Sequence, residues 1–236
     1  LFDRPTLSDR DVREPIEQLR AHGDIAWHVI PGNHDPAMTG GVWERVLRTG
    51  LPSNVTLHLD ARPIDIGGGC FLLPAPLTAK ALSSDPTAWM DDAATPEGAL
   101  RIGLAHGSVQ GFGSETSASI MIAPDRPRRA SLDYLALGDW HGTLKLGPRA
   151  AYSGTPEPDG FLDNDAGGAL IVTIEGAGAP PRIDRQSTGQ YRWVERRLQA
   201  MRSTDLVTLE QEIDGWGAAQ RETLLSVRLS GRIGLA

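Results

Sequence analysis

The chain has 236 residues, 40% of them hydrophobic, a formal net charge of -7 and a single cysteine. That composition is globular rather than disordered, and no apolar run approaches the ~20 residues needed to span a bilayer. Cys70 alone excludes an internal disulfide framework and points to a reducing cytoplasm, while the acidity argues against indiscriminate nucleic-acid binding and leaves room only for a local basic groove.

Leu1 to Thr6 reads as an entry loop broken by Pro5. Ser8 is placed to cap a helix running to about Arg20–His22 and closed by Gly23, although Pro15 argues against its first half. His22 falls in the last turn, at the surface. Ile25 to Ile30 is an apolar run with the pattern of a buried strand, in which His28 reads as a hydrogen-bonded residue. It runs into Pro31-Gly32-Asn33-His34-Asp35, a loop by its Pro-Gly signal. Val42 to Arg48 has helical spacing and stops at Gly50. Val55 to Leu59 alternates as a strand with His58 on its polar face. Arg62 to Pro74 reads as a hairpin around Gly67–Gly69, with Cys70 a small core residue. Ser83 to Ala94 is a loop with a short helix.

Arg101 to Ala105 is a second buried strand, ending in His106-Gly107. Gly111 to Ser119 is a polar loop, and Asp125 to Arg129 a small basic cluster that reads as a solvated loop. Tyr134 to Leu137 is a third apolar strand, running into Gly138-Asp139-Trp140-His141-Gly142. Tyr152 to Glu157 is turn-rich. Gly168 to Ile174 is a strand, paired with Arg182 to Gln186 across a turn at Gly176–Pro181. Beyond Gln186 the character changes. Arg192, Arg196, Arg197 and Arg202 crowd one stretch, where helical spacing puts 192 and 196 on one face. Asp205 to Ile213 reads as a helix with Leu206, Leu209 and Ile213 on one stripe, and Leu224 to Leu229 as a strand. Residues 187–236 therefore look like the beginning of a second, small domain after a core of 1–186.

Three strand ends carry polar groups: Asn33/His34, His106 and Asp139/His141. In open α/β sheets ligands bind outside the carboxyl ends of strands. Asn33 offers an amide oxygen, a hard ligand for Mn or Mg, and Asn, His and Asp together suit divalent Mn, Fe or Zn. Asp139 and His141, two apart on extended chain, point to one side. Two such metals would clamp the attacking and leaving oxygens of an in-line displacement at phosphorus, with His34 beside them as a proton donor.

In order, Asn33-His34-Asp35, His106-Gly107, Tyr134 to Gly138 and Tyr152 to Glu157, with Leu1 to Pro5 before them, resemble the calcineurin-like metallophosphoesterases, and among them the SbcD-type DNA repair exonucleases. The resemblance implies a four-layer α/β sandwich with the start of a small capping domain, and strands 25–30, 101–105 and 134–138 neighbouring in its sheets. It implies metal-dependent hydrolysis of DNA phosphodiester bonds by two divalent metals, Mn before Mg, Fe or Zn. Asn33 and His106 would ligate the second metal and His141 the first. His34 would orient the phosphate and protonate the leaving oxygen, with Gly32 and Asp35 supporting the loop. Asp139 stands where the family has His; a carboxylate still ligates, so it is kept on the second metal. Asp3 matches only the last Asp of the family's Gly-Asp-x-x-Asp segment, a supporting role, and the remaining first-metal ligands would precede Leu1. Arg192, Arg196 and Arg197 would track a phosphate backbone. The implied partners are DNA, an SbcC-like ATPase subunit and a second copy in a homodimer, without a membrane. The residues also admit a small-substrate phosphoesterase of the same superfamily, or a non-catalytic scaffold that lost its metals.

Overall fold

Ser8 starts the first regular element. Its hydroxyl accepts from the Asp11 amide at 3.2 Å while the Asp11 carboxylate accepts from the Ser8 amide at 2.8 Å, a reciprocal cap. Helix α1, Asp9–Ala21, follows, with Val12 and Ile16 buried. Pro15 lies inside it, so the expectation of a broken first half is corrected. The cap and the buried stripe outweigh the one ladder bond Pro15 removes.

The computed structural model describes residues 1–2, 7–111, 120–200 and 203–231. Asp3, Arg202 and most of the 111–119 loop lie outside the described residues. The chain divides into two compact units. The first comprises Leu1–Trp140, Leu144–Ser153 and Val172–Asp184; the second comprises His141–Thr143, Gly154–Ile171 and Arg185–Ala236.

In the first unit, β1 (Trp27–Val29) leads to α2 (Val42–Thr49), and α2 ends where Gly50 takes φ +86°. β2 (Val55–Leu57) pairs in parallel with β1, Trp27 opposite Val55. Phe2, Val12, Ile16, Trp43 and Val46 form one core beside them. Then come β3 (Ile64–Asp65), β4 (Cys70–Ala75), a 3-10 turn at Ala88–Asp92, β5 (Leu100–His106), β6 (Ser108–Val109), β7 (Met121–Ile122), α3 (Arg126–Arg129), β8 (Tyr134–Gly138), β9 (Leu144–Lys145) and β10 (Ala150–Tyr152). A six-stranded mixed sheet has the order β3-β4-β5-β8-β10-β9. Its four middle strands are parallel and its two edges antiparallel. β4 and β8 are nearly all apolar, as parallel strands covered on both faces must be. Leu73, Ala105, Leu135 and Ile122 build the second core.

The fold is thus mixed α/β with few helices. Segments 101–105 and 134–138 are adjacent strands, as expected, but 25–30 is not in their sheet. Among the described residues its strand pairs only with β2.

Two further expectations are corrected in this unit. His58 does not face water: it is 5% exposed. It lies just past the end of β2, where its amide donates to Val29 O at 2.9 Å and its ring turns inward onto His28. The basic cluster at 125–129 is not a solvated loop. Its Arg126 is 1% exposed and donates to the Thr87 hydroxyl and to the carboxylates of Asp85 and Asp91. Carboxylates from the preceding loop supply what a buried guanidinium needs.

In the second unit, β13 (Arg192–Ala200) and β14 (Thr223–Gly231) are parallel, with Arg192 opposite Thr223. α4 (Ser203–Gly215) and a 3-10 turn at Gly217–Glu222 connect them. Leu209 and Ile213 of α4 are half-buried, but Leu206 is exposed. The expectation of a helix over the arginine-rich stretch is corrected: it is strand. In a strand, side chains alternate, so Arg196 and Arg197 take opposite faces. Elsewhere in the chain, β11 (Gly168–Thr173) and β12 (Arg182–Ser187) pair with each other, as expected.

Candidate metal centre

In the first unit three parallel-strand ends supply the site. The Pro31–Asp35 loop leaves β1 and is stitched to the segment after β4: the Leu77 amide donates to Pro31 O at 3.2 Å and the Ala37 amide to Leu77 O at 2.7 Å. Asp35 is buried and closes the loop on itself, accepting from the Gly32 amide at 2.7 Å and the Phe2 amide at 3.1 Å. That fixes Asn33. His106, the last residue of β5, is in register with Gly138, the last residue of β8, and Asp139 follows directly.

The three side chains meet. His106 Nε2 is 2.9 Å from Asn33 Oδ1, Asn33 Nδ2 is 3.2 Å from Asp139 Oδ1, and His106 Nε2 is 3.6 Å from the same oxygen. The His106 ring is clamped between glycines: a Cβ on Gly32 would stand 3.0 Å from its Cε1, and one on Gly138 2.9 Å from its Nδ1. Asp139 adopts φ +102°, a conformation that costs a non-glycine residue ~1–3 kcal/mol and gathers at functional sites. Gly107 takes φ +153° with Ile120 against it. Tyr152 pins that turn, its hydroxyl donating to Gly107 O at 2.7 Å and accepting from the Val109 amide at 2.9 Å. Burial pushes the Tyr152 phenol up to about 12, so it stays a donor.

Burial is also the main influence on His106, lowering its pKa against the upward pull of the Asp139 and Asp35 carboxylates. A neutral imidazole is the form that ligates. In the structure these groups bond one another: His106 Nε2 pairs with Asn33 Oδ1, and Asn33 Nδ2 donates to Asp139 Oδ1, so a cation held by Asn33 Oδ1, His106 and Asp139 would have to replace both bonds. Among the described residues no three His, Cys, Asp or Glu side chains gather as a metal group. The cluster has two such side chains, His106 and Asp139, beside the amide of Asn33.

The other expected residues are placed as follows. His34 is exposed and borders a cavity of about 340 Å³ that Phe2, Met38, Arg45 and Lys80 also line. His141 belongs to the second unit, where its Nδ1 meets the Asp159 carboxylate. Arg196 and Arg197, offered as phosphate-tracking groups, are occupied: Arg196 pairs with Glu212 and Arg197 with Glu195. Arg192 lies over the Trp216 ring, 5.1 Å from its centroid. Sequence reasoning missed Ser108, whose hydroxyl donates to Asp139 Oδ2 at 2.9 Å, and Asp159. A larger cavity, about 630 Å³, opens at the amino-terminal ends of β5 and β8. Its charges are already used: Arg101 serves the carbonyls of Ala93, Met90 and Ala130, and Arg149 serves Asp133 and Gly178.

No family model matches the chain, and no curated protein matches it.

Proposed function

We propose that the chain carries the core of a metal-dependent phosphodiesterase, a four-layer α/β sandwich of the calcineurin-like metallophosphoesterase kind, acting on DNA ends in the cytoplasm. The observation that carries this reading is the convergence of Asn33, His106 and Asp139 at the carboxyl ends of their strands. These three would hold one divalent cation, Mn before Mg, Fe or Zn; His141 would serve a second. When bound, the metals supply a polarised phosphorus and a nucleophilic water.

The chain's own residues do the rest. Asn33 would set an amide oxygen and His106 a neutral imidazole against the phosphate, and the glycines at 32 and 138 leave the room that imidazole fills. His34, exposed at the rim of the adjoining cavity, orients the phosphate and passes a proton to the leaving oxygen. DNA, an SbcC-like ATPase and a second copy of the chain are the proposed partners.

One observation favours the small-substrate alternative: the arginines meant for a DNA backbone are in ion pairs, while a cavity adjoins His34. The test compares Mn-dependent hydrolysis of an end-labelled DNA duplex with that of bis(p-nitrophenyl) phosphate, with His34→Ala beside wild type. Turnover on DNA, abolished in His34→Ala at unchanged metal content, supports the reading. Turnover on the small diester alone moves it to the alternative. Loss of metal with activity in His34→Ala contradicts the role of His34. A chain that binds no metal is the scaffold.

A further inference from the structure

β4 runs parallel to β5, with Ala75 opposite Ala105, one residue before His106. The chain leaving β4 therefore emerges at the same rim as Asn33, His106 and Asp139, the end of a parallel sheet where ligands bind. Two hydrogen bonds fasten that exit to both sides of the His34 loop: the Leu77 amide donates to Pro31 O at 3.2 Å, and the Ala37 amide to Leu77 O at 2.7 Å. Lys80 follows on the same segment, and it lines the cavity of about 340 Å³ that His34 borders.

The charged groups of this cavity are not equivalent. Arg45 is occupied, donating to Leu7 O at 3.0 Å and to the Asp9 carboxylate at 2.9 Å. Asp35 is buried and turned to the Gly32 and Phe2 amides. Lys80 is exposed and has no hydrogen bond or ion pair among the described residues. The chain has one other lysine, Lys145, and that one donates to Ile183 O at 2.9 Å. The open charge of the cavity is thus positive, in a chain of net charge -7. Phe2 and the exposed Met38 make part of its wall apolar, and a methionine thioether adapts to a flat ring.

We propose that Lys80 is a specificity-determining residue, holding a second, non-reacting phosphate on the leaving group of the substrate while the ring of that group lies in the cavity beside Met38. This rests on the reading of the chain as a phosphodiesterase in which His34 protonates the leaving oxygen, since a group protonated by His34 departs into the space His34 borders. The substrate class is a nucleotide diester whose departing nucleoside carries a further phosphate. At about 340 Å³ the cavity is at the small end of ligand pockets, a size for one nucleoside rather than a length of chain. An ammonium on a flexible stem suits the task, because it follows a phosphate as a point charge. Lys80 would touch a phosphate that does not react, so its contribution is equal in ground and transition states and belongs in KM rather than kcat.

The experiment follows Mn²⁺-dependent cleavage of three dinucleotides by wild type, Lys80→Met and Lys80→Arg: thymidylyl-thymidine, and the same molecule with a terminal phosphate on its 5′ or its 3′ end. The readout is the ratio of kcat/KM between a phosphorylated dinucleotide and the plain one within each protein, so a loss of folded protein cancels. In wild type one of the two terminal phosphates should raise kcat/KM about tenfold, through KM, the scale of a hydrogen bond to a charged group. Lys80→Met should bring that ratio close to one, and Lys80→Arg should keep most of it. A ratio near one in wild type, or a ratio that survives Lys80→Met, overturns the inference and leaves the phosphodiesterase reading standing. If wild type cleaves none of the three, that reading falls, and calorimetry without metal decides on Lys80 alone. Thymidine 3′,5′-bisphosphate binding about tenfold more tightly than thymidine, in wild type and not in Lys80→Met, keeps the phosphate site; equal affinities overturn it as well.

Discussion

His28 and His58 make a pair whose acid lability can be worked out in advance. Their ring nitrogens are 2.9 Å apart, their planes 13° apart and their centroids 5.2 Å apart. That centroid separation is close to the N···N distance plus two ring radii. The rings therefore lie edge to edge in one plane, and a single proton sits between Nδ1 of His28 and Nε2 of His58. A second proton would remove the acceptor and leave a buried cation. Burial, then the charges of His28 and Arg62, lower the His58 pKa from 6.5 to about 4. Between those values the unfolded chain binds the proton and the folded chain does not. Stability from this group is present in full above pH 6.5 and falls as pH drops toward 4, by about 2 kcal/mol at pH 5 and about 3 kcal/mol well below pH 4. His58→Gln keeps an acceptor for His28 Nδ1 and removes the titration. Urea unfolding of wild type and His58→Gln at pH 7 and pH 5 should give a wild-type loss larger by about 2 kcal/mol, groups remote from the pair cancelling in the difference. The His58 Cε1 proton should titrate in the NMR spectrum near pH 4. Equal losses in the two proteins, or a His58 midpoint near 6.5, would refute the buried, singly protonated pair.

Asp139→Gly and Asp139→Ala both delete the carboxylate, yet only glycine accepts φ +102° freely; the glycine variant should be the more stable by about 1–3 kcal/mol in thermal melts, and equal melting points would mean the position stores no strain. Arg126→Met should cost about 3–5 kcal/mol, because Asp85 and Asp91 lose their buried counter-ion. Adding Asp85→Asn should return part of that in the same denaturation assay, and a loss within ±0.5 kcal/mol would mark Arg126 as a surface residue.

The central strands were legible because parallel strands buried on both faces are almost continuously apolar: Tyr134 to Leu137 and, after Arg101, Ile102 to Ala105 admit few other readings. The polar residues at their ends were legible for the same reason, since a donor directly after such a run sits at a sheet's rim. The stretch 192–200 was misread because Arg-Trp-Val-Glu-Arg-Arg-Leu satisfies both an i, i+4 and an alternating pattern. Its parallel partner, thirty-one residues on, decides the matter. Ser108, Asp159 and Arg126 were invisible as partners for a related reason. Each acquires its meaning from a residue 18 to 41 positions away. His58 misled because the alternation of β2 stops at Leu57, one residue before it.

Strands β13 and β14 pair only with each other among the described residues, so each offers a flank of backbone groups that could template another chain. Their side chains make poor company for such an intruder. Glu195 lies between Arg197 and Arg228, and Arg196 is tied to Glu212, so an added strand would have to seat itself against fixed charge of both signs. Charge beside an unpaired strand edge is a device by which sequences discourage edge-to-edge pairing. Stripping them should make the protein self-associate before any change in its affinity for a polyanion can be read.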